Sequence, residues 1–262
     1  LSIGKEILIN NLSDPKDDLD SKSSYRQIMK ATSLFGGVQV FNIIIQIIRT
    51  KVIALLLGPS GIGIIGLFTS TTNLINSITS FGLKTSAVKD IAEASKALEK
   101  DNVFKIITIF RRLVIATGLL GTTIVLILSP WLSQLTFGTS KYTFSFIWLS
   151  ITLLVTQLTN GELVLLQGLQ KLKYLAKANM MGSFIGLIFT LPLYYFWGLD
   201  AIVPGIIVGS ISLLITALLF SRKIEIEKVS VSLHQTFNEG KSMIKMGFMI
   251  SLSGLLFCAY FY

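Results

Sequence analysis

The sequence predicts an all-α integral membrane protein, and three observations carry that reading. Hydrophobic residues make up 52% of the 262-residue chain and charged residues only 14%, against about 25% charged in soluble domains. Mean hydropathy is +0.70. The apolar residues fall in runs of about 20 or more, the length an α-helix needs to cross a bilayer. Such runs are too long for buried strands. They also lack the period-2 alternation of a membrane β-barrel. The scarcity of charge excludes a disordered chain.

Taken in order, residues 1–30 are polar, carry both charge signs and read as a cytoplasmic tail. They lack the short apolar core of a signal peptide. Spans are expected at 32–57, 62–82, 110–132, 143–168, 175–197 and 199–220, with a cut seventh at 243–262. This divides the chain into a tail (1–30), a six-helix lobe (31–222), a cytoplasmic linker (223–242) and the start of a seventh helix (243–262). The first residue is Leu1, and the chain stops at Tyr262 inside an apolar run. Both ends suggest part of a longer protein.

Charge placement sets the orientation. The tail and the loops after spans two, four and six hold 20 of the 23 basic residues. The opposite loops hold only Lys141. Basic residues concentrate in cytoplasmic loops, so the N-terminus is expected inside. The net charge of +9 is then a topology signal and not a nucleic-acid footprint. Trp131, Trp148, Trp197 and the Tyr194–Tyr195 pair fall near the outer ends of spans, as interfacial aromatics do. The outer connections Gly58-Pro59-Ser60-Gly61 and Gly198-Leu199-Asp200 are turn chemistry. The inner loop 84–105 reads as an amphipathic helix on the membrane surface. Ala87, Val88, Ile91, Ala92, Ser95 and Leu98 share one face, and Lys89 and Glu93 pair at i,i+4. Segment 223–233 alternates and reads as extended.

One cysteine, Cys258, and one histidine, His234, exclude an intrachain disulfide, a cysteine metal cluster and histidine-pair zinc motifs. Gly61-Ile62-Gly63-Ile64-Ile65-Gly66 matches G-x-G-x-x-G literally. The dinucleotide motif needs a preceding strand and an acid about 20 residues on. Here an apolar helix precedes it, so close helix packing is the expectation, as for Gly205 and Gly209. Pro192 and Pro204 lie inside spans and permit kinks.

Three groups of polar residues stand out. Gln39, Asn42, Gln46 and Arg49 form one helical stripe in span one. Thr69, Thr72, Asn73, Asn76 and Ser80 form another in span two. Two such stripes on neighbouring helices predict a wet, substrate-binding cavity; interhelical hydrogen bonding is the other reading. Arg49 lies about nine residues, or about 13 Å of helix, before the Gly58 turn. Its guanidinium fork suits phosphate oxygens, or it snorkels to the interface. Lys51 points off the stripe. Glu162 is the only acid well inside a span, beside Thr156, Asn160 and Gln167. It is a proton or cation site, a partner for Arg49, or a structural pair.

Several motifs, in order, resemble a known family. These are Lys51-Val52-Ile53-Ala54 with Gly58-Pro59-Ser60-Gly61-Ile62-Gly63, then Gly82 with Ala87-Val88-Lys89 and Ile91-Ala92-Glu93. Leu166-Gln167-Gly168-Leu169-Gln170-Lys171-Leu172-Lys173 and Ile202-Val203-Pro204 follow. Over roughly residues 30–250 the chain resembles the O-antigen translocase (Wzx-type) branch of the multidrug/oligosaccharidyl-lipid/polysaccharide (MOP) exporters. The resemblance implies two six-helix lobes, of which this chain supplies the N-terminal one. It implies a flippase that moves undecaprenyl-pyrophosphate-linked oligosaccharide across the bacterial inner membrane by alternating access. It further implies an H+ or Na+ gradient as coupling ion, no organic cofactor, and contact with membrane lipid and with polysaccharide polymerase and chain-length machinery. A cation-coupled multidrug exporter and a non-transporting assembly subunit remain open. A membrane enzyme is disfavoured by the short outer loops and the lack of a catalytic constellation.

Overall fold

The structure, a computed structural model, describes residues 15–97, 100–224 and 231–261. Among them every regular element is helical: α1 (Pro15–Thr79), α2 (Leu83–Lys96), α3 (Lys100–Phe137), α4 (Thr143–Gly168), α5 (Leu172–Trp197), α6 (Ile202–Ser221) and α7 (Leu233–Phe261), with 3-10 turns at Ser140–Tyr142 and Gly198–Ala201.

Four stretches are long and apolar enough to cross a bilayer: Gly36–Thr79, Asp101–Phe137, Ser140–Gly168 and Leu172–Ser221. The first and last, of 44 and 50 residues, are about twice one crossing. Each folds back once. Gly58 breaks α1 with φ 69° and ψ −173°, a conformation open to glycine but strained for any residue with a Cβ. Pro59 follows, where its missing N–H costs nothing at the start of a new helical limb. Gly198, at φ 55°, does the same between α5 and α6. Six crossings result, as the hydropathy runs predict.

Several boundaries differ from the expected ones. Helix α1 is already formed at Pro15, inside the expected tail. Helix α3 starts at Lys100, ahead of the expected 110. Helix α7 starts at Leu233, ahead of the expected 243. Short polar stretches that continue an apolar helix keep its backbone hydrogen bonds, and hydropathy windows do not register them. In the segment expected to be extended, residues 225–230 lie outside the described residues. Pro204 sits in the first turn of α6, where proline needs no kink.

Two clusters form the interior. One joins the connections rich in basic residues: Leu83, Ala87 and Ile91 of α2 with Ile107 and Phe110 of α3, Leu165 of α4 and Met243 of α7. Helix α2 therefore docks its apolar face on protein, not flat on lipid. Gly168 makes this possible: a Cβ there would lie 2.8 Å from the Ile91 side chain. The i,i+4 pair Lys89–Glu93 forms at 3.8 Å on its exposed face. The other cluster holds the opposite end, around Leu57, Phe68, Phe146, Leu149, Tyr194 and Ile202. Phe68 meets Phe137, Tyr142 and Phe146 at 5.0, 5.8 and 5.2 Å between ring centroids. Tyr194 belongs to this core at 1% exposure, against the interfacial role expected of it; Gly205 leaves the room, since a Cβ there would lie 2.6 Å from the tyrosine oxygen. Tyr195 and the three tryptophans are exposed. So are many apolar side chains along the crossings, Leu55 and Ile127 among them, as a lipid-facing surface requires.

Candidate functional site

The polar stripe of the first limb of α1 faces a cavity of about 270 Å³. Gln39, Asn42, Gln46 and Arg49 line it from one side. Gly182, Ser183 and Gly186 of α5 and Gly209 and Leu213 of α6 close the other. The period of 3 and 4 residues puts all four polar side chains on one face. The glycines make the opposite wall low. A Cβ on Gly186 would lie 3.6 Å from the Gly209 Cα, and one on Gly182 would lie 2.5 Å from Leu213 Cδ1. Helices α5 and α6 thus pack backbone to backbone, as small residues allow in membranes. Sequence reading singled out Gly209 but missed Gly182 and Gly186. Their i,i+4 spacing was the available signal.

The Arg49 guanidinium lies over this glycine wall. A Cβ on Gly209 would be 3.8 Å from Arg49 Nη2. No acidic residue lines the cavity, and Arg49 makes no hydrogen bond or ion pair among the described residues. Asn42 Oδ1 is buried there without a hydrogen-bond partner. A membrane-embedded cation with no counter-charge is costly, and a buried amide oxygen without a donor adds to that cost. An anion bearing hydroxyl groups would relieve both.

The second stripe does not join the first. Thr69 and Thr72 return their hydroxyls to their own helix, donating to the Ile65 and Phe68 carbonyls at 2.7 and 2.8 Å, as threonines in helices do. Asn73 is exposed outside both polar cavities. Asn76 lines a separate cavity of about 160 Å³ with Ser80, Lys84, Gln157 and Asn160. The expectation of one cavity shared by both stripes is corrected. The Gly58 break sets the rotation of the second limb about its axis, and periodicity within a limb carries no information on that angle.

Glu162 pairs with Arg111 of α3, Nη2 to Oε2 at 3.1 Å, and not with Arg49. The glutamate side chain is 12% exposed and the arginine 42%. Arg111 was counted among the basic residues of the loop after span two, although it falls inside the span expected at 110–132. Its neighbour Arg112 donates to the Val231 carbonyl at 2.9 Å and to Thr236 Oγ1 at 2.7 Å. Lys105 pairs with Glu239. The basic end of α3 thereby holds the start of α7. The glycines of G-x-G-x-x-G are not a packing motif either: only Gly61 has a neighbour, Leu57, while Gly63 and Gly66 face open space.

The model of one family, described as polysaccharide biosynthesis protein, matches residues 28–262. The chain belongs to this family. No curated protein matches it. Its fold is shared with a crystallised mutant MATE protein (TM-score 0.66, 18% identity, 86% of this chain and 53% of that one). It is shared equally with a MOP superfamily transporter from Pyrococcus furiosus, for which reverse polarity of the binding pocket suggests a different function (TM-score 0.67, 17% identity, 86% and 52%). The chain spans about half the length of each. Family membership and six apolar crossings together make it a multi-pass membrane protein of the polysaccharide biosynthesis protein family, with a fold that matches about half of each of these two chains.

Proposed function

We propose that this chain forms the N-terminal lobe of a flippase for polyprenyl-pyrophosphate-linked oligosaccharide in the bacterial inner membrane, with its N-terminus cytoplasmic. The observation that carries the reading is Arg49, a cation without a counter-charge, set among Gln39, Asn42, Gln46 and Ser183 in a cavity without acids. A guanidinium can hold two phosphate oxygens at once. The amides offer donors and acceptors to sugar hydroxyls. The low wall of Gly182, Gly186 and Gly209 leaves the guanidinium open to a bulky ligand. A cation-exporting cavity would instead need carboxylates, which favours the glycan reading over the multidrug one. Alternation between inward- and outward-open states would expose Arg49 to each leaflet in turn. The pairing of Glu162 with Arg111 supports a structural role for this carboxylate over an ion-coupling one.

The test is complementation of a deletion strain with the full-length gene. Arg49→Ala is expected to abolish surface glycan at wild-type protein level. Arg49→Lys, which keeps the charge but loses the fork, is expected to restore a fraction. Wild-type glycan with Arg49→Ala would overturn the assignment.

A further inference from the structure

A larger cavity, of about 600 Å³, lies at the end of the bundle opposite α2 and shares no residue with the Arg49 cavity. Its walls are apolar and aromatic: Phe68 from the second limb of α1, Phe144 and Trp148 from α4, and Val203 and Ile207 from α6. Its size falls within the roughly 300–1,000 Å³ of pockets that bury a small molecule.

Two charges line it together with these walls. Lys141 stands on the 3-10 turn Ser140–Tyr142 and Asp200 on the turn Gly198–Ala201. Both are exposed. Neither forms an ion pair among the described residues. The Lys141 ammonium lies 5.9 Å from the Tyr142 ring centroid, close enough for a weak cation–π contact. One cation and one anion, unpaired with each other, thus border a largely apolar pocket. That is the charge complement of a zwitterionic head on an apolar tail. A purely anionic head would gain Lys141 but meet repulsion from Asp200. A choline head carries no N–H to donate to a carboxylate, whereas a primary ammonium carries three.

We propose that this pocket binds a phosphatidylethanolamine-type phospholipid. Its phosphate pairs with Lys141, its ammonium with Asp200, and an acyl chain lies along Phe68 and Trp148. Lysine and aspartate are held on separate turns, so the lipid bridges the α3–α4 connection to the α5–α6 connection at this end of the bundle.

The experiment is native mass spectrometry of the purified full-length protein, competing phosphatidylethanolamine against phosphatidylcholine and phosphatidylglycerol of matched chains. Phosphatidylethanolamine is expected to be retained about tenfold over either competitor, the worth of one charge-assisted hydrogen bond. Asp200→Asn should remove that preference, whereas Lys141→Ala should lower retention of all three lipids, whose phosphates it would contact alike. Asp200→Lys, which makes the rim doubly cationic, should transfer the preference to phosphatidylglycerol, and a misfolded variant could not do this. Equal retention of the three lipids by the unaltered protein would overturn the proposal. So would photo-crosslinking from position 144 that captures another part of the same polypeptide in place of lipid.

Discussion

Breaking the Arg111–Glu162 pair should cost unequal amounts from its two sides. At 3.1 Å and an effective dielectric of about 20, the attraction is about 5 kcal/mol before desolvation is subtracted. Water reaches the arginine, whose side chain is 42% exposed, far more than the glutamate at 12%. Arg111→Met leaves the shielded carboxylate alone, close to the roughly 3–5 kcal/mol of a broken buried pair. Glu162→Gln leaves the half-exposed guanidinium, and about 1.5–2 kcal/mol is expected, near the lower range for a hydrogen bond to a charged group. The double variant should recover about 2 kcal/mol of the summed loss. Thermal unfolding of the purified full-length protein, run as a double-mutant cycle, measures this. Additive losses, with a coupling below about 0.5 kcal/mol, would refute the pair. So would a Glu162→Gln loss larger than that of Arg111→Met. Surface glycan gives a second readout: if the double variant is stable and still supports export, the pair is structural. A stable double variant without glycan would assign Glu162 to the transport cycle.

Two further outcomes follow from local geometry. Gly182→Val should push α5 off Leu213 and Thr216, which already lie within 2.6 Å of a Cβ at that position. Overpacking of this kind costs about 1–3 kcal/mol, and a fall in apparent Tm together with lost glycan export checks it. Asp90, on the α2 surface, has its carboxyl pushed above the usual carboxylate range by burial, with Glu93 adding to the rise and Lys89 opposing it. The unfolded chain then releases this proton first, so stability falls as pH rises through the raised pKa. Asp90→Asn removes that loss. It should raise apparent Tm at pH 7 and have no effect below about pH 3, where both states are protonated.

Much of the molecule was legible in the residues. Runs of apolar residues have one solution in lipid, so the six crossings followed from hydropathy. Gly58-Pro59 and Gly198 marked the turns within the two long apolar stretches because few other residues suit those backbones. The stripe of Gln39, Asn42, Gln46 and Arg49 followed from helical period alone. Errors came where a helix outlasts its apolar run, as at α3 and α7. They came again where a residue type has two habitats: Tyr194 was read as interfacial, but Gly205 on the next helix makes room for its ring in the core.

By itself, then, the sequence determined the class of protein, the number of crossings, the end at which the basic connections gather and the polar face of the first limb. These depend on composition and on contacts a few residues apart. Tertiary structure alone decided which faces meet. It set Arg49 against Gly209, sent Asn76 to a different cavity from Asn42, and gave Glu162 to Arg111 instead of Arg49. The physical reason is that a side chain's partner depends on how each helix is rotated about its axis. That angle is settled by packing between helices distant in sequence, through glycines such as Gly168, Gly182 and Gly209, whose missing side chains leave no mark in a hydropathy pattern.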